Sequence, residues 1–286
     1  MGLGNLPLRH PVNVAYEAAT TDLDDGNMID PFHLEAYGKT CVNYNRDIEI
    51  FPVLQAIFTK IYGECPYKSP TDMGVNMAGY CIFDDDAVCE ASRQEIIRRY
   101  FAAMCLQKKA MGDSDSVYIN ELLMNRCDLR VNDRKVITAA RAKAESTGMP
   151  AAAMELPDGK IITGKTSDLL GASSAMLLNA LKYLAGLDDE LLLISREIIE
   201  PIAELKVGHL GNRNPRLHTD EVLIALSICA VNDENAKKAF DMLPRLRNSE
   251  MHSSVILSQV DEGLLKKLGV NLTCEPIYQT KKLYHK

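Results

Sequence analysis

The chain has 286 residues, 47% of them hydrophobic and 25% charged, and a formal net charge of −7. That length suits one large domain or two ordinary ones, and the balance is that of a globular protein. The acidic charge speaks against a general electrostatic grip on nucleic acid or anionic lipid, and aromatics at 6% with no Trp speak against stacked-ring platforms.

The start, Met1-Gly2-Leu3-Gly4-Asn5-Leu6-Pro7, lacks a basic region followed by an apolar stretch, so no signal peptide is expected. The longest uncharged run, Leu169 to Leu181, is too short to span a bilayer, so no membrane partner is expected. Eight cysteines are scattered without a C-x-x-C pair or zinc-ligand spacing. They read as reduced, buried thiols of a cytoplasmic protein.

In chain order, Val12, Val14, Ala15, Ala18 and Ala19 keep helical spacing within His10–Leu23, and Asp24-Asp25-Gly26-Asn27 supplies a stop. A polar stretch, Met28 to Arg46, follows. Ile50, Phe51, Leu54, Ile57, Phe58 and Ile61 predict a second helix ended by Gly63, with Pro52 in its first turn. Glu64 to Tyr80 is loop. Asp84-Asp85-Asp86 precedes a long helix over Ala87–Met111, where three acids suit the positive end of the helix dipole. Helices over Ser116–Cys127 and Asn132–Ser146 come next, with Gly148 as a cap and Pro150 beyond it.

After Pro150 the texture changes. Pro157-Asp158-Gly159 between Ala151–Leu156 and Lys160–Thr163 predicts a β-hairpin. Helices are expected near Ser174–Ala185, Glu197–Val207, Thr219–Val231, Asn235–Leu243 and Asp261–Leu268. Strands are expected at Leu191–Ile194, Val255–Leu257 and Val270–Cys274. The fold class is therefore α/β, with α+β as an alternative: a mostly helical region over residues 1–148 and a layered α/β domain over 149–286.

Four polar clusters are candidate sites. The first runs through Asp30, His33 and Glu35 to Asn43, Asn45, Arg46 and Asp47. Asp30, His33 and Glu35 could serve as acids, bases or metal ligands, although the spacing is not H-E-x-x-H. Turn and helix caps are the bland account of these residues. The second cluster is Lys68, Ser69, Thr71, Asp72 and Asn76, able to cradle a phosphate but without the P-loop order. A capped surface loop is its bland account. The third, Gly208 to His218, offers Arg216 and His218 for an anion, or a plain helix–helix loop with Thr219 as N-cap. The fourth, Arg247 to Ser254, offers Glu250 and His252. On a strand, His252 and its neighbour Ser253 would face opposite ways and could not pair. No H-x-E or P-C-x-x-C accompanies the hairpin, so zinc deaminase chemistry is not indicated.

The strings Asn5-Leu6-Pro7-Leu8-Arg9-His10-Pro11-Val12-Asn13, Asn27-Met28-Ile29-Asp30-Pro31-Phe32-His33-Leu34-Glu35-Ala36-Tyr37 and Tyr67-Lys68-Ser69-Pro70-Thr71-Asp72-Met73-Gly74-Val75-Asn76, with Glu250-Met251-His252-Ser253 and Gly269-Val270-Asn271-Leu272-Thr273-Cys274, resemble a bacterial family known as domain of unknown function 1846. The family carries no assigned chemistry. Some members bear an ATP-dependent peptidase label, for which this sequence has no zincin motif and no evident nucleophile. The resemblance implies that this chain is the C-terminal portion of a longer protein, lacking an N-terminal α/β domain with a glycine-rich G-P-G-S-G-K-like loop. The resulting expectation is an enzyme or enzyme remnant acting on a phosphorylated or nucleotide-like small molecule, with metal and cofactor unknown. The alternatives are a non-catalytic oligomerising or partner-binding protein assembled through the apolar faces of Ile50–Ile61 and Met176–Leu184, or a truncated form that needs the missing N-terminal domain.

Overall fold

A computed structural model describes residues 56–65, 85–112, 114–126 and 128–279. They fall into two compact units: one extends up to Tyr100 and takes in Ser114–Asp133, the other joins Phe101–Asp113 to everything from Arg134 onward.

The first unit is helical where described. Residues 56–62 form helix up to Gly63, whose φ of +86° ends it. Helix α1, Asp85–Lys108, begins within this unit, and α2 spans Ser114–Arg126. On α1, Glu95 holds Arg98 at 2.7 Å and Arg99 at 3.2 Å, so these arginines are paired along their own helix. The end of α1 is turned by Ala110 at φ 57°, with Gly112 N donating back to Leu106 O at 3.2 Å.

The second unit is α/β. Helix α3, Lys135–Thr147, ends on Gly148 at φ 64°, ψ 12°, as the Gly-then-Pro signal predicts. Strands β1, Ala151–Glu155, and β2, Ile161–Lys165, form the expected hairpin. Gly159 takes the positive φ, and Asp158 Oδ1 accepts from Lys160 N at 3.0 Å. Then come α4 (Ala172–Leu184), α5 (Arg196–Glu204), a π-helical turn (Leu205–His209), α6 (Thr219–Cys229), α7 (Glu234–Phe240), β3 (Glu250–Ser253), α8 (Gln259–Lys267) and β4 (Asn271–Cys274).

The sheet order is β2-β1-β3-β4, with β1 antiparallel to both β2 and β3 and β4 parallel to β3 across α8. Side chains alternate between its two faces. Ala152, Met154 and Met251 join Met176, Leu177, Ala180 and Leu181 of α4, Val222 and Leu226 of α6, Ala236 and Ala239 of α7 and Leu265 of α8 in the main core. Each large side chain buried there contributes about 1.5–3 kcal/mol. Gly164 makes the close approach of α4 to β2 feasible, since a Cβ there would lie 2.2 Å from Met176 N. On the other face Ala153 packs on Val136 and Ala140 of α3.

Three expectations need correction. Leu191–Ile194 is not a strand: Leu193 and Ile194 are buried, but among the described residues no strand pairs with them. Val255–Leu257 is irregular, and the strand lies just before it at Glu250–Ser253, where polar residues obscure the alternation. The apolar side of Met176–Leu184 is spent inside the core of its own chain, so it is not available for assembly. Among the described residues, no helix is long and apolar enough to cross a membrane.

Candidate functional site

Asp30, His33, Glu35, Asn43, Asn45, Arg46, Asp47, Lys68, Ser69, Thr71, Asp72 and Asn76 lie outside the described residues. The other four candidates fall into two separate polar constellations, Glu250 with His252 and Arg216 with His218.

The first lies on the α3 side of the sheet. Strand register aligns His252 with Ala153 and Thr273, and Glu250 with Glu155 and Asn271. Arg134, only 1% exposed at the start of α3, spends its guanidinium on this row. Its Nε donates to Thr273 Oγ1 at 3.1 Å, Nη1 pairs with Glu250, and Nη2 donates to Met251 O at 3.0 Å and Asn271 O at 2.7 Å. His252 is fully buried and meets Phe101 edge-on at 5.1 Å between ring centroids. Its Nε2 lies 3.2 Å from Glu275 Oε1 and its Nδ1 2.9 Å from Thr273 Oγ1. Burial pushes its pKa down, outweighing Glu275, so the ring is neutral near pH 7. A neutral ring facing a carboxylate must carry its proton on Nε2. Thr273 Oγ1 accepts from Arg134, and its one hydroxyl proton is shared between His252 Nδ1 at 2.9 Å and Met251 O at 3.1 Å. Arg141 Nε completes the row, donating to Glu275 Oε1 at 2.6 Å. Ser253 Oγ turns to Val255 O at 2.8 Å, away from His252. This constellation pins α3 to the sheet, and the ring nitrogens of its histidine both face partners.

The second constellation joins the N-termini of α6 and α8. Ser258 caps α8, its Oγ accepting from Asp261 N at 3.1 Å. Thr219 is the first residue of α6 rather than its cap; His218 precedes the helix, and Asp261 supplies the capping oxygen from α8. Asp261 Oδ1 accepts from Thr219 N at 2.8 Å and Thr219 Oγ1 at 2.9 Å. Its Oδ2 accepts from Ser258 Oγ at 2.7 Å and meets His218 Nδ1 at 2.9 Å. Four donors thus fill a carboxylate's acceptor positions. Burial raises the Asp261 pKa, but the His218, Thr219 and Ser258 hydrogen bonds outweigh it, and the net shift is downward. The hydrogen bond to Asp261 holds the His218 pKa above its ordinary 6.5 against desolvation. His218 keeps 34% of its side chain exposed, and its Nε2 has no hydrogen-bond partner among the described residues.

Lys206, in the π-helical turn and 3% exposed, donates to Glu221 Oε2 at 2.6 Å and Arg216 O at 2.7 Å. Glu221 Oε2 in turn accepts from His218 N at 2.7 Å. Asp261, Ser258, Lys206 and Glu221 were not among the sequence candidates. Ser258-Gln259-Val260-Asp261 is a capping pattern readable from sequence. Lys206 carries no such signal. Among the described residues, no group of three or more His, Cys, Asp or Glu is placed to hold a metal.

Comparison with known proteins bears on the whole chain. The profile described as domain of unknown function DUF1846, C-terminal, matches residues 132–284, and its N-terminal counterpart matches residues 2–128. The second match overturns the expectation that only the C-terminal portion of that family is present. Similar relatives include UPF0371 protein stu1377 of Streptococcus thermophilus, 57% identical over 282 residues, or 99% of this chain and 57% of the relative. UPF0371 protein cu0538 of Corynebacterium urealyticum is 55% identical over the same shares, and UPF0371 protein DIP2346 of Corynebacterium diphtheriae 56%. The chain therefore spans 57% of the length of these relatives.

Proposed function

Because the chain belongs to the DUF1846 family, whose name assigns no chemistry, we propose its function from its own residues: an enzyme that moves a proton at His218 Nε2 on a small molecule. The observation carrying this reading is the His218 ring itself, about a third exposed and tied through Nδ1 to a carboxylate at 2.9 Å. Asp261 fixes the ring and stabilises the imidazolium, while Nε2 keeps the lone pair that takes or returns a proton. A phosphorylated or nucleotide-like substrate, expected from the sequence, suits a basic group poised at a rigid loop.

The test is a thermal-shift screen with nucleotides and sugar phosphates on the wild type and His218→Asn, followed by turnover of any hit. Asn keeps a donor for Asp261 but lacks Nε2, so it separates chemistry from packing. A ligand at 100 times its Kd should stabilise by roughly 2.7 kcal/mol. The expected result is a hit that the wild type converts and His218→Asn binds without converting. A panel that moves neither protein, or equal turnover by both, contradicts the reading.

A second reading, self-assembly, is favoured by Ile224, Ile228 and Val231. Ile224 and Ile228 lie one turn apart on α6 and Val231 in the turn after it, and they are 61%, 62% and 77% exposed. Light scattering tests it: an oligomer that Ile228→Glu dissociates supports assembly, and a wild-type monomer removes it.

A further inference from the structure

We infer that Arg216 is the anion-binding residue of this site and that the ligand presents a phosphate monoester to Arg216 and His218 together. The inference rests on the reading of His218 as the proton-bearing group and adds the chemical class of its ligand.

The first support is direction. Leu217 between them is buried in the main core and bridges to Leu170, while His218 continues in extended backbone at φ −77°, ψ 169°. Alternation along extended chain sends Arg216 and His218 to the side opposite Leu217.

The second support is rigidity. Every backbone donor and acceptor from Arg216 to His218 has a partner. Arg216 N donates to Asn214 Oδ1 at 3.2 Å, and Arg216 O accepts from Lys206 Nζ at 2.7 Å. Leu217 N donates to Leu169 O at 2.8 Å, and Leu217 O accepts from Ser174 Oγ at 2.9 Å and Gly171 N at 3.4 Å. His218 N donates to Glu221 Oε2 at 2.7 Å, and His218 O accepts from Val222 N at 3.0 Å. A short segment fixed at each polar backbone atom presents its two outward side chains with little freedom to lose on binding.

The third support is unused donor capacity. Arg216 Nε donates to Ser167 O at 2.7 Å, which orients the guanidinium plane. Among the described residues, no carboxylate pairs with Arg216 and its Nη groups have no partner. Lys206 is engaged by Glu221, and Asp261 by His218, so neither of these two groups is left to neutralise Arg216. A guanidinium with an open Nη edge matches an oxyanion with two parallel hydrogen bonds, and a phosphate has a further oxygen for His218 Nε2.

The experiment follows the His218 ring by NMR while inorganic phosphate, and separately phenyl phosphate, is added at constant ionic strength to the wild type, Arg216→Gln and Arg216→Lys. The expected result is saturable binding that raises the His218 pKa, with Arg216→Gln weakening it about tenfold or more and Arg216→Lys recovering part of the loss. Without phosphate, the His218 pKa should be unchanged in Arg216→Lys and no lower in Arg216→Gln, which removes a neighbouring positive charge. Equal phosphate affinity in Arg216→Gln, or a wild type that does not saturate, overturns the inference, and it does so while leaving a His218 bonded to Asp261 intact. A His218 that titrates as a free imidazole before phosphate is added would instead remove the acid–base reading beneath it.

Discussion

His218 Nδ1 and Asp261 Oδ2 lie 2.9 Å apart, and through this contact the N-terminus of α6 is tied to the first turn of α8. Asp261→Ala removes the pair and also strips Thr219 N and Oγ1 of their acceptor in a buried place. We expect a loss of about 3–5 kcal/mol, as for other broken buried ion pairs. Asp261→Asn keeps one carbonyl acceptor and should lose less. Urea denaturation of both variants checks the order; an alanine variant within about 0.5 kcal/mol of wild type would mean the junction contributes little.

The pH dependence of that junction has a defined sign. The folded His218 pKa lies above 6.5, so its contribution is complete below 6.5 and is lost as pH rises through the raised value. Asp261 is depressed below 3.8, so its contribution is present above 3.8 and is lost as pH falls through the lowered value. The stability gap between wild type and Asp261→Asn should therefore be widest between pH 3.8 and 6.5 and narrower at pH 8. A gap that grows from pH 6 to 8 would contradict the pairing.

His252 should behave in the opposite sense. Burial holds its pKa below 6.5, so its contribution is present above 6.5 and is lost as pH falls through the depressed value. Ring resonances should give a midpoint below 6.5 for His252 and above it for His218. A shared midpoint would remove the distinction between a structural and a solvent-facing histidine.

Arg134 joins α3 to β3 and β4 through Glu250, Thr273 and two backbone carbonyls. Arg134→Met leaves those acceptors unmet, and we expect a loss of about 3–5 kcal/mol. Arg134→Lys should recover little, since an ammonium cannot reproduce the planar fork. Chemical denaturation measures both, and a lysine variant as stable as wild type would show that charge alone suffices.

Gly164→Ala places a Cβ 2.2 Å from Met176 N, against helix backbone that cannot step aside. Overpacking there should destabilise by about 1–3 kcal/mol or more, read as a lower melting temperature. An unchanged melt would mean that α4 can shift away from β2.

What was legible in the sequence followed from local chemistry. Pro157-Asp158-Gly159 marked the hairpin because the turn needs a positive φ that glycine supplies. Gly148 before Pro150 marked the end of α3 for the same reason. β3 was displaced because Glu250 and His252 face the α3 side of the sheet, where Arg134 and Thr273 satisfy them, so hydrophobic alternation fails. Leu193 and Ile194 read as a strand because apolar residues fill a core whatever their backbone does. At the candidate site, His218 and Arg216 stood out as loop residues, whereas Asp261 lies 43 positions from His218 and only the packing of α8 against α6 brings it there.

The most direct test of the account is the tautomer of His218 in wild-type protein and Asp261→Asn, read from ring nitrogen shifts above the titration midpoint. The wild type should carry a proton on Nδ1 and a lone pair on Nε2, with a pKa above 6.5 that falls when Asp261 becomes Asn. A proton on Nε2 with a pKa that does not respond to Asp261→Asn would contradict it.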